Sequence, residues 1–163
     1  AQIKMEITEI TLRNEIQDIL DSLKFLEHFH ETEFIVVVPA EIKLRCDKTI
    51  LILILQNLII NSLKYRDPGK NQSFIRIIAN DTGESTEVQV IDNAQGIPEE
   101  IQVRVFDMFF RGNETSQGTG LGLYMVKNAM ERLGGKISFE SRVGEGTTFL
   151  LQFPKDKDAM QKS

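Results

Sequence analysis

One cysteine, Cys46, is all that the chain of 163 residues contains. An internal disulfide is therefore excluded, and the fold must be held by a packed core. The apolar surroundings of Cys46 favour a buried structural thiol and, mildly, a reducing compartment. Long hydrophobic runs are missing as well. The longest, Ile50–Leu55, falls far short of the roughly 18 residues that a membrane span needs. No basic segment followed by an apolar stretch opens the chain, so no secretory leader is expected and the chain reads as cytoplasmic. A basic run is missing too, which together with a net charge of −5 argues against nucleic acid as a partner. There are no internal repeats. Metal-ligand clusters are lacking too. His28 and His30 stand two apart, share no helix face, and have no cysteine or third histidine near them, so they read as surface residues. What remains is 41% hydrophobic and 26% charged, enough for one globular domain over residues 1–154, with a polar, disordered tail at 155–163.

Along the chain, Ile3–Thr8 alternates as a strand, and helical spacing from about Thr11 to Phe29 puts His28 and His30 at a frayed helix end. Phe34–Val38 and Ile42–Arg45 are extended pieces flanking Pro39. A long helix starts near Asp47, its N-cap, and is broken at Asp67-Pro68-Gly69. Ser73–Asn80 and Thr86–Asp92 form a hairpin across Asn80-Asp81-Thr82-Gly83. Pro98 begins a short helix through Arg104, with Glu99 and Glu100 in its first turn. Phe106–Thr119 reads as a long loop, and loops of that length in compact domains are usually functional. Gly120–Leu133 is helical with Gly134-Gly135 as its C-cap, and Lys136–Ser141 and Thr147–Phe153 close the chain as a second hairpin. The fold class is α/β: a mixed sheet of five or six strands with three main helices, a two-layer sandwich.

The long central helix carries Asn57, Asn61 and Lys64 on one face, with Tyr65 at its edge. Ile50, Leu53 and Ile60 share that side, while Leu51, Leu55, Leu58, Ile59 and Leu63 cover the other. A helix apolar nearly all round is expected to be buried, and buried amides need partners, since an unsatisfied one costs about 1–3 kcal/mol. Something polar should therefore dock against this stripe.

Asp92 is in phase with Val88 and Val90, so its carboxylate points to the core side. It either opens the turn Asp92-Asn93-Ala94-Gln95-Gly96 or accepts from a buried donor such as an exocyclic amine, with Gly96 allowing a flat ligand to approach. Gly118-Thr119-Gly120-Leu121-Gly122-Leu123 enters a helix, where backbone N–H groups bind phosphate. The dinucleotide fingerprint fails, because Leu123 stands where its third glycine belongs and no strand precedes. A Walker loop fails too: Gly135-Lys136-Ile137 lacks the hydroxyl, and Met130 replaces the first glycine. Gly144-Glu145-Gly146-Thr147 alone is a hairpin turn.

Together these segments resemble the GHKL nucleotide-binding superfamily. Asn57…Asn61-Ser62-Leu63-Lys64-Tyr65 resembles its N box, Asp92–Gly96 its G1 box, Gly118–Leu123 its G2 box and Gly144–Thr147 its G3 box. Phe106-Asp107-Met108-Phe109-Phe110-Arg111 is similar to the F box of sensor histidine kinases. The likeness covers the chain from about Glu6 to Phe153, with the five boxes in register. It implies a Bergerat-type sandwich, a mostly antiparallel sheet of about five strands on three helices, binding ATP under a mobile lid. It also implies the roles that follow. Asn61 would hold Mg²⁺ with Asn57 in support, Lys64 would reach a phosphate, and Tyr65 would lie along the base or ribose. Asp92 would accept from the adenine amine, with Gly96, Ile97 and Thr147 beside it. Gly118, Thr119, Gly120, Leu121, Gly122 and Leu123 would line the phosphates, and Arg111 would reach the γ-phosphate. The catalytic set is Asn57, Asn61, Lys64 and Arg111.

Hydrolysing relatives place a glutamate where this chain has Asn57, and an amide cannot act as a general base. The resemblance therefore implies transfer of the γ-phosphate from ATP to a histidine on a separate dimerisation domain, with a response regulator receiver domain downstream. No phosphoacceptor motif surrounds His28 or His30, so the chain by itself is not expected to phosphorylate itself. Direct contact of this domain with a membrane is not expected, although a parent protein could be anchored in one. One departure is Ala94, where the family usually has glycine. A methyl at a turn needing positive φ would cost of order 1 kcal/mol and weaken nucleotide binding. The alternative reading, a degenerate nucleotide-binding or interaction module without transferase activity, rests on that residue.

Overall fold

A computed structural model describes residues 4–108, 110 and 122–155. In chain order the elements are β1 (Ile7–Thr11), α1 (Leu12–Ser22), β2 (Thr32–Val37), β3 (Lys43–Asp47), α2 (Lys48–Lys64), β4 (Ser73–Asp81), β5 (Ser85–Asp92), a 3-10 helix (Glu99–Arg104), α3 (Gly122–Arg132), β6 (Lys136–Arg142) and β7 (Gly146–Pro154). The main sheet has five strands in the order β2-β4-β5-β7-β6, with β2 parallel to β4 and every other pair antiparallel. β1 and β3 form a separate two-stranded antiparallel ribbon.

Alternation along the sheet separates core from surface. Ile75, Ile77 and Ala79 of β4, Val88 and Val90 of β5, and Phe149, Leu151 and Phe153 of β7 are buried with Leu51, Ile54, Leu55, Leu58 and Ile59 of α2 and Val126 and Met130 of α3. This is the two-layer α/β sandwich that the pattern predicts. Asp92 sits at the inward parity of β5, one period beyond Val90, and is buried. That single register relation delivers a carboxylate to the interface between the layers.

The N-terminal third differs from expectation in its boundaries. The first strand lies at Ile7–Thr11, later than Ile3–Thr8, because it is defined by its pairing, Ile7 with Asp47 through Thr11 with Lys43. The helix predicted to reach Phe29 ends at Ser22. Beyond it the chain continues as turns, with Leu23 N–H donating to Leu20, Leu26 to Leu23, Phe29 to Leu26 and Thr32 to Phe29 at 3.0–3.2 Å. Apolar residues recur there every third position, which suits i→i+3 bonding as well as a helix period does. His28, with φ +70°, cannot belong to a right-handed helix; its ring lies 3.1 Å from Glu31. Phe29 stacks on Phe34 at 4.5 Å and ties this segment to β2.

α2 is capped as predicted: the Asp47 carboxylate accepts from Ile50 N–H at 3.1 Å. α3 closes on Gly134 at φ +72°, with Gly135 N–H donating to the Met130 carbonyl at 2.9 Å.

Candidate functional site

α2 is not buried all round. Leu51, Ile54, Leu55, Leu58, Ile59 and Leu63 are enclosed, but Asn57, Ile60, Asn61 and Lys64 line an open cavity of about 460 Å³. Among the described residues no protein layer covers the polar stripe, which faces a space of ligand size. Ile60 is 38% exposed because it belongs to that wall. Asn57 satisfies its amide locally, donating to the Leu53 carbonyl one turn back at 2.7 Å. Its side-chain oxygen lies 3.3 Å from where a Cβ on Gly122 would stand, so the start of α3 comes up against it. No hydrogen bond joins the Asn61 side chain to another described residue, and its amide faces the cavity uncommitted.

Asp92 closes another part of the cavity. One oxygen, Oδ1, accepts from the backbone N–H of Ala94 at 3.0 Å and of Thr147 at 3.1 Å; Oδ2 accepts the Ser62 hydroxyl at 2.7 Å. Burial pushes its carboxyl above the ordinary carboxylate range, and these donors partly counter that. The Ser62 anchor lies five residues from Asn57, a rise of roughly 7–8 Å along α2. A buried acceptor is thus displaced along the helix from the Asn57 amide, while Asn61 is next in sequence to its Ser62 anchor, and Ile97, Ile101, Val105 and Phe149 add apolar wall. Among the described residues, Asp92 and Lys64 are the only charged side chains lining the cavity.

The glycines have a structural task. Gly96 has φ +80°, and a Cβ there would meet the Arg142 carbonyl at 2.2 Å; Gly146 has φ +128°, and its Cβ would meet the Asp92 carbonyl at 2.0 Å. The close approach that Gly96 permits is therefore by the β6–β7 turn, while Gly96 itself still borders the cavity. The two loops interlock further. Gly144 N–H donates to the Gln95 carbonyl at 2.9 Å and Ile97 N–H to Ser141 Oγ at 2.8 Å. Ser141 Oγ pairs with Thr147 Oγ1 at 2.7 Å, and Lys70 bonds the Gly144 carbonyl. Gln95 N–H also reaches back to the Tyr65 carbonyl at 3.0 Å, joining the loop to the end of α2.

Ala94 carries no strain: it is buried, and among the described residues only His28 of the non-glycine residues has positive φ. The expected cost of its methyl in a left-handed turn is therefore absent, because this turn needs its positive φ at Gly96 instead.

Asn57, Asn61, Lys64, Tyr65, Asp92, Gly96, Ile97, Gly122, Leu123 and Thr147 all line the one cavity. Lys64 also rests 5.3 Å from the centre of the Tyr65 ring. Arg111, Gly118, Thr119, Gly120 and Leu121 lie outside the described residues. Ser62 and Phe110 stood in the N-box-like and F-box-like segments without a role of their own, and Ile101, Val105 and Val143 were given no part in the site. Ser62 carried a signal, a hydroxyl on the buried side of a helix beside Asn61, whereas the apolar wall had none beyond its hydrophobicity. The aromatic line Phe106–Phe139–Phe149, at 5.7 and 5.6 Å between rings, fixes the first residue of the phenylalanine-rich segment to the sheet.

The sequence model of the family described as histidine kinase-, DNA gyrase B- and HSP90-like ATPases matches residues 46–157. Sensor histidine kinase AruS of Pseudomonas aeruginosa is 32% identical over 154 residues, which cover 90% of this chain and 15% of AruS. Sensor-like histidine kinase SenX3 of Mycobacterium tuberculosis is 36% identical over 120 residues, 71% of this chain and 28% of SenX3. The chain thus spans less than a third of these relatives. Among solved structures, the catalytic domain of histidine kinase ThkA superposes with a TM-score of 0.79 at 28% identity, covering 93% of this chain and 97% of that one. The mycobacterial sensor histidine kinase MprB shares the fold, with a TM-score of 0.77 at 23% identity over 91% of this chain and 97% of that one.

Proposed function

Because the chain belongs to the family of histidine kinase-, DNA gyrase B- and HSP90-like ATPases, as an ATP-binding catalytic domain of the sensor histidine kinase kind, we propose that it binds Mg²⁺-ATP in the α2 cavity and donates the γ-phosphoryl to a histidine on a separate dimerisation domain. The observation that carries this reading is one cavity that joins a buried acceptor, Asp92, to the uncommitted amide of Asn61 and the Lys64 ammonium. Asp92 accepts from the adenine amine, and Tyr65 and Ile97 flank the base. Asn61 would hold Mg²⁺ through its amide oxygen, a hard donor of the kind that ion prefers, with Asn57 in support. Mg²⁺, when bound, neutralises phosphate charge. Lys64 adds a positive charge to the same end, and Arg111 and the backbone N–H groups of residues 118–123 complete the phosphate side.

Direct attack by water is disfavoured. Asn57 is an amide already donating to Leu53, and the only carboxylate lining the cavity among the described residues, Asp92, is held by three donors. Asp92 is taken up by the adenine amine in this reading, which leaves no described side chain of the cavity to serve as a general base for water. A response regulator is the downstream acceptor. The reading as a degenerate module loses its support, since Ala94 is unstrained.

Calorimetric titration with ADP and ATP in Mg²⁺ tests the binding; absence of heat at millimolar nucleotide would overturn it. Radiolabelled ATP, mixed with the chain and a histidine-bearing dimerisation domain of the parent protein, tests the transfer. Acid-labile, alkali-stable label on that domain is expected, and none on this chain alone.

A further inference from the structure

We propose that Ser62 is a positioning residue that keeps Asp92 a pure hydrogen-bond acceptor, and thereby sets the preference of the cavity for 6-amino over 6-oxo purines. This deepens the nucleotide reading above and rests on it. The geometry is specific. Asp92 Oδ1 is filled by two backbone N–H groups, of Ala94 and Thr147. A proton could therefore enter only at Oδ2, where the Ser62 hydroxyl already donates at 2.7 Å. Ser62 is 5% exposed and does not line the cavity, so it acts on a ligand only through Asp92.

The surroundings leave the decision to that hydroxyl. Ile75 of β4 stands opposite Asp92, Thr147 of β7 supplies a backbone N–H, and Ala94 supplies the other. Lys64, exposed, is the one other charged side chain of the cavity among the described residues, and Tyr65 its one further titratable group. Neither figures among the influences on the Asp92 carboxyl, which are burial and its three donors. Burial favours the protonated acid, and the hydrogen bonds favour the carboxylate. An ionised Asp92 accepts from a 6-amino group and repels a 6-carbonyl; a protonated one donates to the carbonyl. Removing the Ser62 hydroxyl frees Oδ2 for the proton and narrows the discrimination.

The test measures ADP and IDP binding with Mg²⁺ from pH 5.5 to 8 in the wild-type chain, Ser62→Ala and Ser62→Thr, each checked as folded by thermal melting. IDP carries the same phosphates and differs in its 6-oxo group. Ser62→Ala is expected to weaken ADP binding about tenfold at pH 7. The acid-side loss of ADP affinity should move up by about one pH unit, and the ADP-to-IDP affinity ratio should fall about tenfold, while Ser62→Thr behaves as wild type. Equal weakening of both nucleotides with an unmoved pH profile would reduce Ser62 to packing and overturn the proposal. So would wild-type behaviour of Ser62→Ala. A wild-type chain that bound neither nucleotide would instead bring down the nucleotide reading, and this inference with it. Should Ser62→Ala not fold, Ser62→Cys, a near-isostere with a weaker donor, replaces it; an intermediate shift supports the proposal and no shift overturns it.

Discussion

Asp92 shows how one residue couples binding to stability. Its carboxyl is raised above the ordinary value of 3.8 mainly by burial. A raised acid adds stability below its unfolded value and loses that contribution as pH rises through its folded value, so at neutral pH the buried charge weighs against the fold. Asp92→Asn should therefore melt no lower than wild type at pH 7, with any advantage shrinking toward pH 4. It should also bind ADP about ten- to a hundredfold more weakly, since a hydrogen bond to a charged acceptor is worth about 1.5–3 kcal/mol. Melting curves across that pH range, with calorimetry, check both halves. Asn61→Asp makes the complementary case: the half-exposed side chain tolerates the change, so the melting temperature should hold while Mg²⁺-ATP binding or transfer is disturbed. Wild-type transfer by that variant would remove Asn61 from the metal role. Cys46 has no such part; it is fully buried, and its thiol is pushed up to about 12 chiefly by burial.

At the scale of elements, the interlocked loops behind Asp92 matter more than any one strand. Gly96 and Gly146 combine positive φ with a neighbouring carbonyl where a methyl would go. Gly83, in the β4–β5 turn, has φ +92° but open space around it. Gly83→Ala should cost about 1 kcal/mol and leave ADP binding untouched. Gly146→Ala should cost roughly 1–3 kcal/mol or more and weaken ADP binding too, because the Thr147 N–H that holds Asp92 must move with the turn. Denaturant melts paired with ADP titrations separate the two outcomes. α2 has its own logic: its inner face, with Leu51, Leu55 and Leu58 completely enclosed, fixes the helix so that its amides reach the cavity in one orientation.

Across the whole molecule, the cavity lies where helices, sheet end and loops meet, so ligand and fold are linked. ADP at a hundred times its dissociation constant should add about 2.7 kcal/mol. For a domain of this size that is a rise of about 5–10 °C in melting temperature. In Asp92→Asn, about ten- to a hundredfold weaker, the same concentration should add only about 0.4–1.4 kcal/mol, a rise cut to about 1–6 °C that a thermal-shift series reads directly. No helix among the described residues is long and apolar enough to cross a membrane.

Much of this was legible locally. The helical stripe Asn57, Asn61, Lys64, the inward parity of Asp92 and the N-cap at Asp47 follow from periods of 3.6 and 2 and from capping chemistry, which depend on near neighbours alone. The end of α1 was not legible, because Leu20, Leu23, Leu26 and Phe29 satisfy a helix and a chain of i→i+3 turns equally, and contact with Phe34 accompanies the second arrangement. Nor was the strand Ile7–Thr11, whose ends are set by β3. Local periods were enough to give the inward faces of β4, β5 and β7 and the enclosed face of α2. It took the folded chain to show that the α2 stripe meets a cavity, that Gly96 is crossed by Arg142, and that Ser62 reaches Asp92, thirty positions away. Those are contacts between segments distant in the chain, and no local period encodes them.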